Sequence, residues 1–299
     1  EYRKLKDHRT IPEKLKDVCL AESIDITNDL DYAVSDCRLV VLAVPSQSLR
    51  SVLTQLKSRL PAGATIVNLA KGVETSSLKR MSEVILEETD LSPESIATLS
   101  GPSHAEEVVR DMPTTVVAAG CGEDLVNRLQ RVFSSNSFRV YTSDDLIGVE
   151  LGGALKNIIA IGVGITDGLG LGDNTRGALI TRGLAEITRL GTAMGARGET
   201  FAGLSGIGDL VTTCISKHSR NRYVGDKIGR GFKLQEILES MAMVAEGVET
   251  TRSGYRLSEK LKVEMPITMQ VHRVLFEDKP AAEAVQVLMG RELKAEIWR

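Results

Sequence analysis

Four short stretches carry residues able to move a proton or hold an anion. Glu150-Leu-Gly-Gly-Ala-Leu-Lys-Asn157 sets Lys156, at helical spacing, beside Gly152, Gly153, Ile159, Ala160 and Val163; Glu150 lies off that face and offers no i,i+4 partner. An ammonium in such company either snorkels to water or faces a site that uses its proton or its charge. Lys71 precedes Gly72 in Asn68-Leu-Ala-Lys-Gly72, and a glycine there lets a ligand approach the backbone, although a solvated loop lysine reads the same way. Asp209 closes Leu204-Ser-Gly-Ile-Gly-Asp209; it is either a first-turn aspartate of a helix or, if near Lys156 in space, the group that orients the ammonium. Ser219-Arg-Asn-Arg222 reads as an N-cap followed by a first helical turn bearing an arginine fork, Arg220 with Arg222, a clamp for a small phosphate.

Two further motifs admit several readings. Ser103-His-Ala-Glu106 fits a capping box, and the helix it would open, set directly after a strand, would also offer free N–H groups to an anion. Lys217, Arg220, Arg222, Lys227, Arg230 and Lys233 crowd one segment against Asp226 alone. A solvated basic face or a nucleic-acid patch would look alike, but Tyr223 and Phe232 are few aromatics for stacking on bases.

These residues need a scaffold, and the composition allows an ordinary one. The chain has 299 residues, a formal net charge of −3, 42% apolar and 26% charged residues, which suits a two-domain globular protein and excludes a strongly basic nucleic-acid binder or a disordered tail. Cys19, Cys37, Cys121 and Cys214 form no C-x-x-C pair, and the histidines show no H-E-x-x-H spacing, so neither structural zinc nor a disulfide framework is expected. No charged-then-apolar leader is visible, and uncharged stretches such as Asn157–Thr166 are too short to span a bilayer. A reduced, cytoplasmic protein without nucleic-acid or membrane partners is expected.

Apolar runs at 39–44, 64–70 and 96–100, the first read as a buried strand, each end in a turn of small or special residues and lead into helical patterns near 48–60, 76–88 and from Ser103. Strands at 114–119 and 138–142 bracket a helix at 123–133, and a further strand is expected near Ser23–Thr27. In open parallel sheets, ligands bind beyond the carboxyl ends of the strands. After about Ser143 helical periodicity takes over, in segments near 145–166, 174–195, 219–229, 249–261, 266–276 and 280–288. The expected fold class is α/β, an incomplete doubly wound Rossmann-type domain over residues 1–142 followed by an all-helical domain over 143–299.

Val41-Leu-Ala-Val-Pro-Ser46, Asn68-Leu-Ala-Lys-Gly72, Leu99-Ser-Gly-Pro-Ser-His-Ala-Glu-Glu107, Glu150-Leu-Gly-Gly-Ala-Leu-Lys-Asn157, Gly206-Ile-Gly-Asp209, Ser219-Arg-Asn-Arg222 and Val244-Ala-Glu-Gly-Val248 follow one another in an order that resembles bacterial-type NAD(P)-dependent glycerol-3-phosphate dehydrogenases. The resemblance implies hydride exchange between NAD or NADP and a phosphorylated triose, interconverting dihydroxyacetone phosphate and sn-glycerol 3-phosphate for glycerophospholipid synthesis. It implies catalytic roles for Lys156, as general acid and base, and for Lys71 and Asp209. It assigns substrate contacts to Lys71, Gly101, Ser103, Asp209, Ser219, Arg220 and Asn221. Cofactor contacts fall on Pro45, Lys71, Ala105, Arg220, Val244 and Glu246. A homodimer stays open, since apolar helix faces late in the chain, such as Val285–Met289, read equally as core or interface.

One departure stands out: no G-x-G-x-x-G occurs in the chain. In a 3-2-1-4-5-6 sheet this predicts that the opening strand, its glycine turn and the second strand are missing, leaving the strand near Ser23–Thr27 without a neighbour. The competing function is a catalytically silent phosphometabolite-binding fragment that has lost its cofactor seat. A dehydrogenase of unphosphorylated hydroxy acids or of acyl thioesters fits less well, because a phosphate clamp at 219–221 would serve nothing there.

Overall fold

The computed structural model describes residues 2–11, 15, 18–293 and 295–296. After two short helices, α1 (Tyr2–His8) and α2 (Leu30–Val34), strands and helices alternate: β1 (Leu39–Leu42), α3 (Leu49–Leu56), β2 (Thr65–Asn68), α4 (Met81–Glu88), β3 (Ile96–Ser100), α5 (Ala105–Val108), β4 (Thr114–Gly120), α6 (Glu123–Phe133) and β5 (Phe138–Ser143). The sheet order is β1-β2-β3-β4-β5; β3 and β4 run antiparallel while the other pairs are parallel, so the sheet is mixed. Both faces are covered. Ile66 and Ile96 pack with Leu49, Leu53, Met81 and Ile85 of α3 and α4, whereas Val67, Ala97 and Leu99 pack with Leu125 and Leu129 of α6. The alternation of neighbours Ile66 and Val67 between two cores is the period-2 pleat at work.

The sequence expectations need three corrections here. The Ser23–Thr27 stretch forms no strand and is turn and irregular backbone. With β1 thus at the edge of the described sheet, it is only half buried, and Val41 is exposed where a fully buried strand was expected. Ser103 does not cap a helix either. The helix start is His104, without a side-chain cap bond, and Ser103 Oγ instead donates to Gly101 O at 3.0 Å. The helix that follows has only four residues, too short to gather a useful dipole.

Beyond β5 the chain is helical: α7 (Leu146–Gly168), α8 (Asp173–Ala193), α9 (Asp209–Ile215), α10 (Arg220–Gly229), α11 (Leu234–Ser240), α12 (Glu246–Leu261), α13 (Pro266–Phe276) and α14 (Ala281–Met289). Helix α7 is the axis of this part. Asp145 caps it, accepting from Gly148 N at 2.9 Å. Its Leu151, Leu155, Ile158, Ile159 and Val163 lie in one core with residues of α8, α9, α10, α12 and α13. By length and composition α7 could cross a membrane, but 89% of its most apolar stretch is buried inside the protein. Apolarity all round is what a helix enclosed by other helices requires.

The closest packing is between α7 and α10, and glycine permits it. A Cβ on Gly164 would lie 2.1 Å from Arg222 O, and one on Gly225 would lie 2.1 Å from Ile161 O. This contact fixes the start of α10, and with it Ser219–Asn221, against the helix that carries Lys156. Gly225→Ala is therefore expected to destabilise the protein by about 3 kcal/mol, at the upper end for overpacking. Gly177→Ala, on an exposed face of α8 with nothing within 4 Å, should instead stabilise by about 0.5–1 kcal/mol. Urea unfolding of the two variants reads the contrast, and equal midpoints would show that the glycine contact is not what joins the helices.

Candidate active site

Lys156 is buried, only 5% exposed, in the middle of α7. Gly152 and Gly153 explain how other chain segments reach it. A Cβ on Gly152 would lie 2.5 Å from Ser205 O, and one on Gly153 would lie 2.6 Å from Ser100 Oγ and 3.5 Å from Lys71 Cγ. Missing side chains one turn before Lys156 thus admit the Leu204–Gly208 turn on one side and the ends of β2 and β3 on the other.

Asp209, the first residue of α9, is brought in by that turn. Its Oδ1 lies 2.9 Å from Lys156 Nζ and its Oδ2 2.7 Å from Lys71 Nζ. One carboxylate therefore bridges two ammonium groups that arrive from different parts of the fold. Lys71 Nζ also donates to Gly101 O at 2.8 Å, and Lys156 Nζ donates to Thr213 Oγ1. Thr213 Oγ1 is 3.3 Å from Asp209 Oδ1, one helical turn along α9.

The electrostatics follow from burial and this bridge. Burial pushes the Lys156 amine down to about 8, with the Lys71 charge acting in the same direction and Asp209 opposing both. Burial alone would raise the Asp209 carboxyl, but the two lysines outweigh it and hold the group below the usual carboxylate range. Cys214, also buried, has its thiol pushed up to about 12 and stays a neutral packing residue. The result is an amine poised near neutral pH beside a permanent anion and a second cation.

The anion clamp is only partly as expected. Ser219 caps α10, accepting from Arg222 N at 3.2 Å. Arg220 is exposed, with Nη1 on Val244 O at 2.8 Å, whereas Arg222 turns to Asp167 at 2.7 Å. Two arginines two positions apart on a helix point to different sides, so they form no fork. Asn221 is buried: its Nδ2 donates to Asn157 Oδ1 at 2.9 Å, and its Oδ1 accepts from Gly247 N at 2.9 Å. Of the other basic residues of this segment, Arg230 pairs with Asp226 at 2.9 Å, Lys227 lies over the Tyr223 and Phe232 rings, and Lys233 reaches Asp278 at 3.5 Å.

The expected cofactor contacts sit at the rim between sheet and helices. Pro45, Ala105 and Val244 are exposed, and Glu246 reaches from α12 to the end of β1, where its carboxylate accepts from Ser46 N at 2.9 Å and from Ser46 Oγ. Glu246 thus ties the helical part to the sheet side. The donor set still suits the nicotinamide end of a dinucleotide: Pro45, Ala105 and Val244 give small apolar edges for a ring, and the exposed Arg220 guanidinium carries N–H groups beyond the one on Val244 O. Three site residues escaped the sequence reading. Thr213 stands at i+4 from Asp209 and could have been found by that spacing; Asn157 adjoins Lys156 and has a polar partner; His104 was hidden inside the presumed cap motif.

Comparison with known proteins shows the family. Residues 1–125 match the family model described as NAD-dependent glycerol-3-phosphate dehydrogenase N-terminus, and residues 145–286 match the corresponding C-terminus model. The chain belongs to the NAD-dependent glycerol-3-phosphate dehydrogenase family. A family member from Pelotomaculum thermopropionicum, named glycerol-3-phosphate dehydrogenase (NAD(P)+), is 54% identical over 97% of this chain and 84% of its own length. Another of that name from Geobacter sulfurreducens is 54% identical over 93% of this chain and 84% of its own. The crystal structure of glycerol-3-phosphate dehydrogenase from Coxiella burnetii superposes with a TM-score of 0.93 at 38% identity, covering 97% of this chain and 88% of that one. Because the N-terminal family match begins at residue 1, it lends no support to the expectation that an opening strand, glycine turn and second strand have been lost.

If Asp209 is what keeps the buried amine protonatable, Asp209→Asn should lower the Lys156 midpoint by at least about one unit, since the anion goes and the Lys71 cation stays. The ¹³Cε shift of Lys156, followed by NMR against pH in wild type and variant, measures this. An unmoved midpoint would show that Asp209 does not set the proton affinity.

Proposed function

We propose that this chain interconverts dihydroxyacetone phosphate and sn-glycerol 3-phosphate with NAD(P)H, and that Lys156 is the group that passes the proton. The observation carrying the reading is the buried Lys156–Asp209–Lys71 bridge on the helix whose Asn157 side chain is bonded to Asn221 of the 219–221 segment. When bound, the nicotinamide supplies the hydride that C2 receives. The protein's part is the proton, the orientation and the charge.

In the reductive direction, Lys156 in its ammonium form donates a proton to the C2 oxygen as that oxygen becomes an alkoxide. In the oxidative direction the neutral amine accepts the C2 hydroxyl proton. Lys71, held by Asp209 and Gly101 O, presents a fixed positive charge to the substrate oxygens, with Gly101 and Ser103 lining the same turn. Ser219, Arg220 and Asn221 grip the phosphate, remote from C2, so binding energy there is converted into alignment at the reacting carbon. Pro45, Lys71, Ala105, Arg220, Val244 and Glu246 border the cofactor. In this reading residues 1–142 carry the cofactor side and 143–299 the substrate side.

The same reading makes the product a precursor for glycerophospholipids. Four free cysteines suit a reducing cytoplasm, and the exposed Val287 and Met289 of α14 would be covered by a second copy in a homodimer. Kinship to proteins named as dehydrogenases favours the enzyme over a silent phosphometabolite-binding fragment.

Lys156→Ala is expected to lower kcat by at least ~10²-fold while substrate binding changes less; near-normal turnover in an NADH-coupled assay would remove Lys156 from its role. The pH dependence has opposite signs in the two directions. Reduction needs the charged amine, so its kcat/KM should fall as pH rises through about 8, and oxidation needs the neutral amine, so its kcat/KM should rise through the same region. Parallel profiles in the two directions would contradict the assignment.

A further inference from the structure

Among the described residues, two side-chain polar atoms around the site, Ser100 Oγ and His104 Nε2, are buried without a hydrogen-bond partner, and the one on a titratable ring is unused by the reaction just described. His104 Nε2 is shielded from solvent and has no hydrogen-bond partner. An unpaired buried N–H or lone pair costs roughly 1–3 kcal/mol, so its retention calls for a partner that arrives with the ligand. The position of His104 identifies that ligand. It lies in the turn after β3, three residues beyond Gly101, whose carbonyl holds Lys71. Its ring centroid is 6.2 Å from that of His218, at an interplanar angle of 53°, and His218 immediately precedes Ser219 of the anion segment.

The histidine pair therefore spans the cleft, one ring from the sheet side and one from the loop between α9 and α10. His218 is itself placed: its backbone N donates to Ser216 Oγ at 3.0 Å, and its Nδ1 is 4.0 Å from Glu106 Oε1. Burial, together with the nearby Lys156 charge, lowers the His104 proton affinity against the opposing pull of Glu106, Asp209 and Glu107. Near neutral pH the ring is a neutral imidazole with one N–H to give, and the broad χ2 of histidine lets the ring turn to present Nε2 to the cleft.

Building on the phosphoester reading above, we propose that His104 is a substrate-contacting residue whose Nε2 donates to a phosphate oxygen of the bound three-carbon phosphoester, with His218 packed against the ring to position it. The phosphate end is favoured over the C2 end because the ring meets His218, the neighbour of Ser219, while the C2 oxygen already has Lys156. His104 thus adds a contact from the sheet side to a phosphate otherwise held only by the helical side, so substrate itself joins the two halves of the site.

The test uses the full chain and sn-glycerol 3-phosphate as probe. His104→Phe keeps the ring and its packing but removes Nε2, and His104→Gln returns an amide N–H near the same place. Calorimetric Kd for sn-glycerol 3-phosphate and KM for dihydroxyacetone phosphate should both rise about tenfold in His104→Phe, with kcat within about threefold of wild type. His104→Gln should recover most of the loss. Unchanged Kd and KM in His104→Phe, or equal losses in both variants together with a lowered melting temperature, would reduce His104 to a packing residue and overturn the proposal. Failure of wild type to bind sn-glycerol 3-phosphate at all would instead overturn the phosphoester reading on which it rests.

Discussion

One carboxylate shared by two ammonium groups is the interaction on which the rest of this structure depends. Asp209 sits 2.9 Å from Lys156 and 2.7 Å from Lys71, and its charge offsets part of what burial costs the Lys156 ammonium. At an effective dielectric of about 20 a close ion pair is worth about 4 kcal/mol, comparable with the several kcal/mol lost on burying an ammonium. The balance is near even, and that is what leaves Lys156 able to gain or lose a proton near pH 8. With stronger pairing the amine would hold its proton to higher pH; with no pairing it would lose it at lower pH.

Holding three side chains from three elements at those distances requires backbones to approach closely. Gly152 and Gly153 open α7 to the Ser205 turn and to Ser100 and Lys71, and the Gly164–Gly225 contact draws α10 onto the same helix. Helix α7 is hence both the core of the helical part and the floor of the site. Its burial supplies the desolvation that lowers the Lys156 proton affinity, so stability and chemistry share a cause. Ties across the fold, Glu246 to Ser46 and Ser253 Oγ to Val73 O at 2.9 Å, keep the sheet ends in register with this floor.

Much of this was legible in the sequence because local rules governed it. The strands at Leu39–Leu42, Thr65–Asn68, Ile96–Ser100, Thr114–Gly120 and Phe138–Ser143 announce themselves by β-branched apolar runs ending in special residues. Helix Pro266–Phe276 has proline at its first position. Lys156 stood out because an ammonium without a local partner on an apolar face demands an explanation. What failed was non-local. Whether Ser103 capped a helix depended on where the helix opens, and its N-cap is His104, one residue later; the Arg222 half of the expected arginine fork fails because Asp167, on another helix, takes its guanidinium. The antiparallel β3–β4 pairing and the unpaired Ser23–Thr27 segment likewise depend on tertiary placement and not on residue pattern.

The central claim is that the Lys156 amine reaches the C2 oxygen of a three-carbon phosphoester gripped at 219–221. A crystal structure of the protein with an oxidised dinucleotide and sn-glycerol 3-phosphate measures this directly. The account predicts Nζ within about 2.6–3.2 Å of that oxygen, with the phosphate against Ser219, Arg220 and Asn221. An amine still turned wholly to Asp209 and Thr213, with the C2 oxygen out of its reach, would contradict it.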